Sequence, residues 1–174
     1  MVLGDGDIRL REWEIADAEW YAAIAAHDEM IQRFTTESPD LTAGQVRTAI
    51  LELAGRIDAS GFLICDANGE RLGNIALSHA DGVGVVSYWL AASARGRGAA
   101  TTALRLLSDW AFECLALDEL RLWTHVANTA SRRVAERAGY VRHPELDHRR
   151  RMKTEICSMA AYRLCSNDGP PRGR

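Results

Sequence analysis

The chain has 174 residues, of which 47% are hydrophobic and 26% charged, and its net charge is −3. That length suits a single domain with a substantial core, and the charge provides no global field to recruit nucleic acid. Cys65, Cys114, Cys157 and Cys165 form no C-x-x-C pair, and there is neither a basic-then-apolar leader nor an apolar run long enough to span a bilayer, so the sequence predicts a reducing, cytoplasmic setting without a membrane.

Ile8-Arg9-Leu10-Arg11 alternates and predicts a first strand. Asp17 is placed to cap a helix running to about Glu29, with Trp20, Tyr21, Ile24 and Ala25 on its apolar face. Residues 31–40 read as a connection carrying Phe34 and Pro39. Thr42-x-x-Gln45 is a capping box, and Val46, Ile50, Leu53 and Ile57 continue a second helix. A meander follows: Phe62 to Cys65, a turn at Asn68-Gly69, Leu72 to Ser78, a turn at Asp81-Gly82, and Val83 to Leu90. Ala100, Ala103, Leu104, Leu107, Ala111 and Cys114 then lie on one helical face. Leu120 to Val126 reads as a strand, Asn128 caps a helix that Gly139 ends, and Tyr140 to Arg142 starts another strand. Residues 145–153 form a charged loop, Ile156 to Leu164 a last strand, and 166–174 a polar flexible tail. The sum is one α/β domain over 1–165, with a mixed sheet of about seven strands and flanking helices.

The junction between the central strand and its helix carries the chemistry. Arg95-Gly96-Arg97-Gly98-Ala99-Ala100-Thr101 puts two glycines at a helix N-terminus, where N–H groups lack intrahelical partners and the helix dipole favours an anion. It is not a Walker loop, because Ala99-Ala100 stand where Lys-Ser/Thr is required, and two glycines are too few for the dinucleotide fingerprint. The order Arg-x-x-Gly-x-Ala (Arg95, Gly98, Ala100) resembles the acyl-CoA signature of the GNAT superfamily of N-acetyltransferases. Asn128-Thr129-Ala130-Ser131 through Gly139-Tyr140 resembles that family's second motif, and the wording is most similar to the branch that includes the ribosomal-protein N-terminal acetyltransferases.

The resemblance covers nearly the whole chain and implies the GNAT fold. It implies acetyl-CoA as acyl donor, with no metal, and direct transfer to a primary amine, either a protein N-terminus or a small molecule. Nucleic acid and membrane are not implied as partners, and a homodimer is left open. The cofactor would lie against Trp89, Leu90 and Ala91. Its pyrophosphate would sit on Gly96, Arg97, Gly98, Ala99, Ala100 and Thr101, with Arg95 and Arg97 at the rim and Asn128 and Ser131 facing the pantetheine arm. Two departures stand out. The tyrosine that many members carry seven residues after the asparagine is Ala135 here, and the glutamate of their central strand is replaced at Val85 and Val86. His125 is the best substitute for the proton-transfer group, because imidazole titrates near neutrality, and Ser131 is a second candidate. Phe34 and His79 are expected at the acceptor site. The departures also motivate a rival reading, a CoA-binding module or sensor with little transferase activity.

Overall fold

A computed structural model of the protein describes residues 2–166. Nine strands form one sheet in the order β1-β2-β3-β4-β5-β6-β9-β7, with β8 also pairing with β9. Strands β1 (Val2–Asp5), β2 (Ile8–Glu12), β3 (Ala59–Asp66), β4 (Arg71–Ala80) and β5 (Val83–Leu90) are antiparallel neighbours. β6 (Glu119–His125) runs parallel to β5, and β9 (Glu155–Cys165) returns antiparallel to β6, flanked by β7 (Val141–Arg142) and β8 (His148–Met152). The sheet therefore has two more strands than the seven expected. β1 is a four-residue edge segment, and β8 lies inside the charged stretch 145–153 that reads as a loop. Of the expected tail, only Ser166 is among the described residues.

The helices divide between the two faces. α4 (Ala99–Cys114) buries Ala103, Leu104, Leu107 and Ala111 completely, and Trp110 meets Phe62 edge-on at 5.3 Å. Each buried leucine there contributes about 2 kcal/mol of transfer free energy. α5 (Thr129–Arg137) seals the same face with Ala135. α1 (Ala18–His27), α2 (Glu29–Phe34) and α3 (Ala43–Ala54) cover the opposite face. Trp89 points that way and stacks on Trp20 at 5.9 Å. The capping box of α3 is as expected: Gln45 N–H donates to Thr42 Oγ1 at 3.3 Å, and Thr42 N–H donates to Gln45 Oε1 at 2.9 Å. That helix ends at Ala54, so Ile57 lies beyond it and is 94% exposed.

Two local expectations are corrected. Residues 31–40 are not all connection, because α2 forms there on the cap of Asp28, whose carboxylate accepts from Met30 N–H at 3.0 Å and Ile31 N–H at 3.1 Å. Asp17, expected as a side-chain cap, is instead fully buried and receives Arg11 at 2.7 and 2.9 Å and Arg71 at 2.7 Å. Burial alone would raise its pKa, but the bonds from Arg11 and Arg71 outweigh that and lower it to about 2. This one carboxylate ties the start of α1 to β2 and β4. Among the described residues, no helix is long and apolar enough to cross a membrane.

Candidate active site

β5 and β6 pair only at Val83–Glu119, Gly84–Leu120 and Val85–Arg121. Beyond that point β5 stays with β4 as far as Leu90, while β6 follows β9 as far as His125. The parallel pair therefore splays, and a cavity of about 470 Å³ opens in the gap. The ladder shows what backbone faces it. Ala91 N–H donates to Leu72 O at 2.9 Å, and antiparallel pairs alternate between bonded and non-bonded. The peptide groups of Val86, Tyr88 and Leu90 consequently point away from β4, toward the gap. A chain of amides laid there could pair with them as an added strand does.

The glycine turn closes one end of the cavity. Gly96 and Gly98 take φ of +78° and +82°, and a Cβ on either would meet nothing within 4 Å. The backbone is thus held in the left-handed region while the space above it stays open. Gly98 is the N-cap of α4. Its carbonyl accepts the N–H of Thr101 at 2.9 Å and of Thr102 at 3.1 Å, so Thr101, although at the wall, keeps its amide inside the helix. The amides just before it, through Ala100, have no acceptor among the described residues and are free to receive an anion. The cavity wall includes Trp89, Leu90, Arg95, Gly96, Gly98, Ala99 and Ala100, together with Asn128 and Ser131 of the other motif. Ala91 is buried behind it, and Arg97 turns back to Ser93 O at 2.7 Å.

Arg95 is tied down rather than spread over the rim. It donates to Leu90 O at 2.7 and 3.1 Å and to Asp28 Oδ1 at 2.6 Å. Burial pushes the Asp28 carboxyl up, but Arg95 and the N–H groups of Ile31 and Met30 together outweigh this and hold it below the ordinary range. The same carboxylate caps α2, so the glycine turn and α2 are locked to one another across the cleft.

Asn128 Oδ1 accepts from Ser131 N–H at 3.1 Å, the expected cap. Ser131 Oγ lies 2.8 Å from Tyr88 Oη, and burial pushes that phenol up to about 12. Tyr88 is the functional candidate that the sequence reading missed. It comes from the opposite wall, 43 residues away along the chain, and only the central-strand parity that aims it at α5 could have flagged it.

The opposite end of the cavity is made of side chains. Met30, Phe34, Thr35 and Thr36 stand on one side, and Trp123, Arg150, Met152 and Met159 on the other. Phe34 is on the wall at this end, 5.4 Å from the His125 ring. His125 sits beside the cavity, and its Nδ1 accepts the Ala127 N–H at 3.0 Å. That bond requires a bare Nδ1, which places the proton of the neutral ring on Nε2 and leaves no second lone pair for a base. His79 is not at this end. It pairs with Gly84, in the region where β5 and β6 are still joined, and does not line the cavity.

Residues 7–141 match the family described as acetyltransferase (GNAT) domain. A 77-residue segment is 36% identical to YdaF of Bacillus subtilis (strain 168), whose name places it among candidate ribosomal N-acetyltransferases; the match spans 42% of this chain and 42% of that protein's length. Among solved structures, RimJ of Mycobacterium smegmatis in complex with CoA-disulfide superposes with a TM-score of 0.85 at 18% identity, over 98% of this chain and 90% of that one. Spermidine N-acetyltransferase of Vibrio cholerae in complex with CoA and spermine gives 0.82 at 16% identity, over 93% and 97%.

Proposed function

The chain belongs to the GNAT acetyltransferase family, and from that premise we propose that it moves an acetyl group from acetyl-CoA directly to a primary amine, either a protein N-terminus or a small molecule. The observation that carries the reading is the splayed pair: β5 and β6 part after Val85, and the gap ends at amides on a glycine turn that have no acceptor among the described residues. A thioester with a pyrophosphate tail matches that shape, with pantetheine amides along Tyr88 and Leu90 and the pyrophosphate on Gly96 to Ala100.

The amine enters from the side of Phe34, and its nitrogen attacks the thioester carbon. A C–N bond forms, the C–S bond breaks, and the amine gives up a proton to solvent. An N–H on β5 near Leu90 polarises the carbonyl oxygen. Ser131 donates a proton to the departing thiolate and recovers one from Tyr88, neutral at the start because of burial, which solvent reprotonates once CoA leaves. This pair replaces the tyrosine absent at Ala135. We assign Phe34 to the wall that positions the acceptor, with His125 packed behind its ring. The reading covers residues 1–165 as one domain working in the cytoplasm, with no part for nucleic acid, in keeping with the net charge of −3.

A second reading, a CoA sensor without turnover, is favoured by one observation: among the described residues the cavity wall holds no Asp, Glu or His to act as a base. Calorimetric titration with acetyl-CoA, followed by thiol release over a panel of amines and peptides, separates the two. Binding with amine-dependent release is expected, and Ser131→Ala should then slow release about tenfold while leaving acetyl-CoA affinity within twofold. Binding without release from any acceptor supports the sensor, and no binding removes both readings.

A further inference from the structure

The acceptor end of the cavity has an unusual charge make-up. Among the described residues, the ionisable side chains on the wall besides Tyr88 are Arg95, Arg133, Arg137 and Arg150, with no carboxylate and no histidine. Arg95 is neutralised by Asp28. Arg133 and Arg137 belong to α5, the helix that begins at Asn128 and carries Ser131, on the side where the cofactor is expected. That leaves Arg150 at the other end. It sits on β8 opposite Cys157, and strand alternation gives it the face shared with Met152, while Arg149 and Arg151 take the other face. A run of three arginines that the sequence presents as one charged patch is therefore split, and a single guanidinium lines the acceptor end.

The groups that surround this end do not cancel it. Arg33 lies over the Phe34 ring, 5.1 Å from its centre, and Lys153 bonds to Gln32. His148 packs on Trp123, and His125 holds the Ala127 N–H. Glu37 is committed to the Tyr21 hydroxyl at 2.6 Å, beside a different cavity. Glu29, on α2, is exposed, and Glu155 is exposed at the β8–β9 turn; neither lines the cavity.

Two consequences follow, and both rest on the transferase reading. A polycationic amine finds no counter-charge here and meets an arginine instead. With no base on the wall, an acceptor must also arrive neutral. At pH 7.5 roughly a quarter to two-fifths of an α-amine is neutral, against about one in a thousand of an alkylamine. We infer that the acceptor is an α-amino group with a carboxylate close by, held through Arg150: the N-terminus of a peptide with acidic residues near its start. Guanidinium and carboxylate form paired, charge-assisted hydrogen bonds, which would hold the α-amine at the mouth between Phe34 and Trp123.

The test uses the full chain, acetyl-CoA and thiol release. The acceptors are three peptides identical except for Asp-Asp, Gln-Gln or Lys-Lys after an N-terminal Ser, together with free glutamate and spermidine. The acidic peptide should exceed the glutamine peptide about tenfold in kcat/KM, and spermidine should be the poorest. R150Q should raise KM for the acidic peptide about tenfold and bring the acidic-to-neutral ratio close to one, and R150E should favour the lysine peptide. R149Q, on the other face, should change neither. Free glutamate matching the acidic peptide would support the same recognition and assign it to a small molecule. Spermidine or the lysine peptide as best acceptor, or an unchanged acidic-to-neutral ratio in R150Q, overturns the inference while leaving the transferase standing. Release with no acceptor at all overturns the transferase reading itself.

Discussion

At the α4 end of the cleft the working surface is backbone: the amides from Gly96 to Ala100 and the peptide groups of Tyr88 and Leu90. At the β8 end it is side chains: Phe34 and Met30 from a six-residue helix, and Arg150 and Met152 from an edge strand. A backbone surface is fixed by the fold and recognises what every acyl-CoA shares. A side-chain surface can be rebuilt without disturbing the sheet and recognises what differs among acceptors. Both ends hang from one frame, and substitutions can break the frame, one end, or neither.

The largest effect is expected at the frame. Asp17 is fully buried and holds Arg11 and Arg71. Asp17→Ala leaves two partly exposed guanidinium groups without their shared carboxylate, and the expected cost is about 3 kcal/mol, read as a lower midpoint in urea. The pH dependence has a definite sign. With the carboxyl lowered to about 2 in the folded protein and near 3.9 when unfolded, its contribution is full above pH 5. It is lost as pH falls through 4 toward 2, and amounts to about 2 kcal/mol. The variant should show a flatter stability curve over that interval; parallel curves for both proteins would assign the acid sensitivity elsewhere.

Next comes the backbone end alone. At Gly98 a new Cβ meets no protein atom, so Gly98→Glu acts through two routes, the strain of φ +82° and a carboxylate where the pyrophosphate belongs. Acetyl-CoA affinity should fall about a hundredfold, with about 1 kcal/mol of stability lost to the strain. Gly98→Ala separates the routes, since it keeps the strain without the charge. Calorimetry that finds wild-type affinity in Gly98→Glu would take the phosphate off this turn.

What could be read in the sequence follows the same division. The backbone end was legible because glycine spacing, the Asn128 cap and the apolar face of α4 are local patterns, each written within a few residues. The side-chain end was not. α2 has only six residues, too few for a helical period, and β8 has Arg at three successive positions, which hides the alternation of an edge strand behind solvation. The Tyr88–Ser131 bond joins residues 43 apart and leaves no local trace. His79 was misplaced although topology could have excluded it. A cleft at the C-terminal end of β5 lies beside the start of β4, and His79 is near that strand's end.

The smallest effect is expected at His125, and it decides how the two ends share the chemistry. A base here would have to accept a proton at the ring, but Nδ1 already holds the Ala127 N–H and Nε2 carries the ring proton. Accepting one at Nδ1 would break the hydrogen bond from the Ala127 N–H to the ring, at the turn that leads into α5, which places Asn128 and Ser131. His125→Ala should therefore lower kcat less than about threefold through the loss of packing on Phe34. It should leave the pH–rate profile rising with the acceptor's own amine ionisation, near 8 for an α-amine. Exchanging the acceptor for one of higher pKa should move that limb in wild type and variant alike. If the variant instead loses an ionisation between pH 6 and 7 that the wild type shows, the imidazole is the base, and the acceptor's basicity would no longer set which amines this site can use.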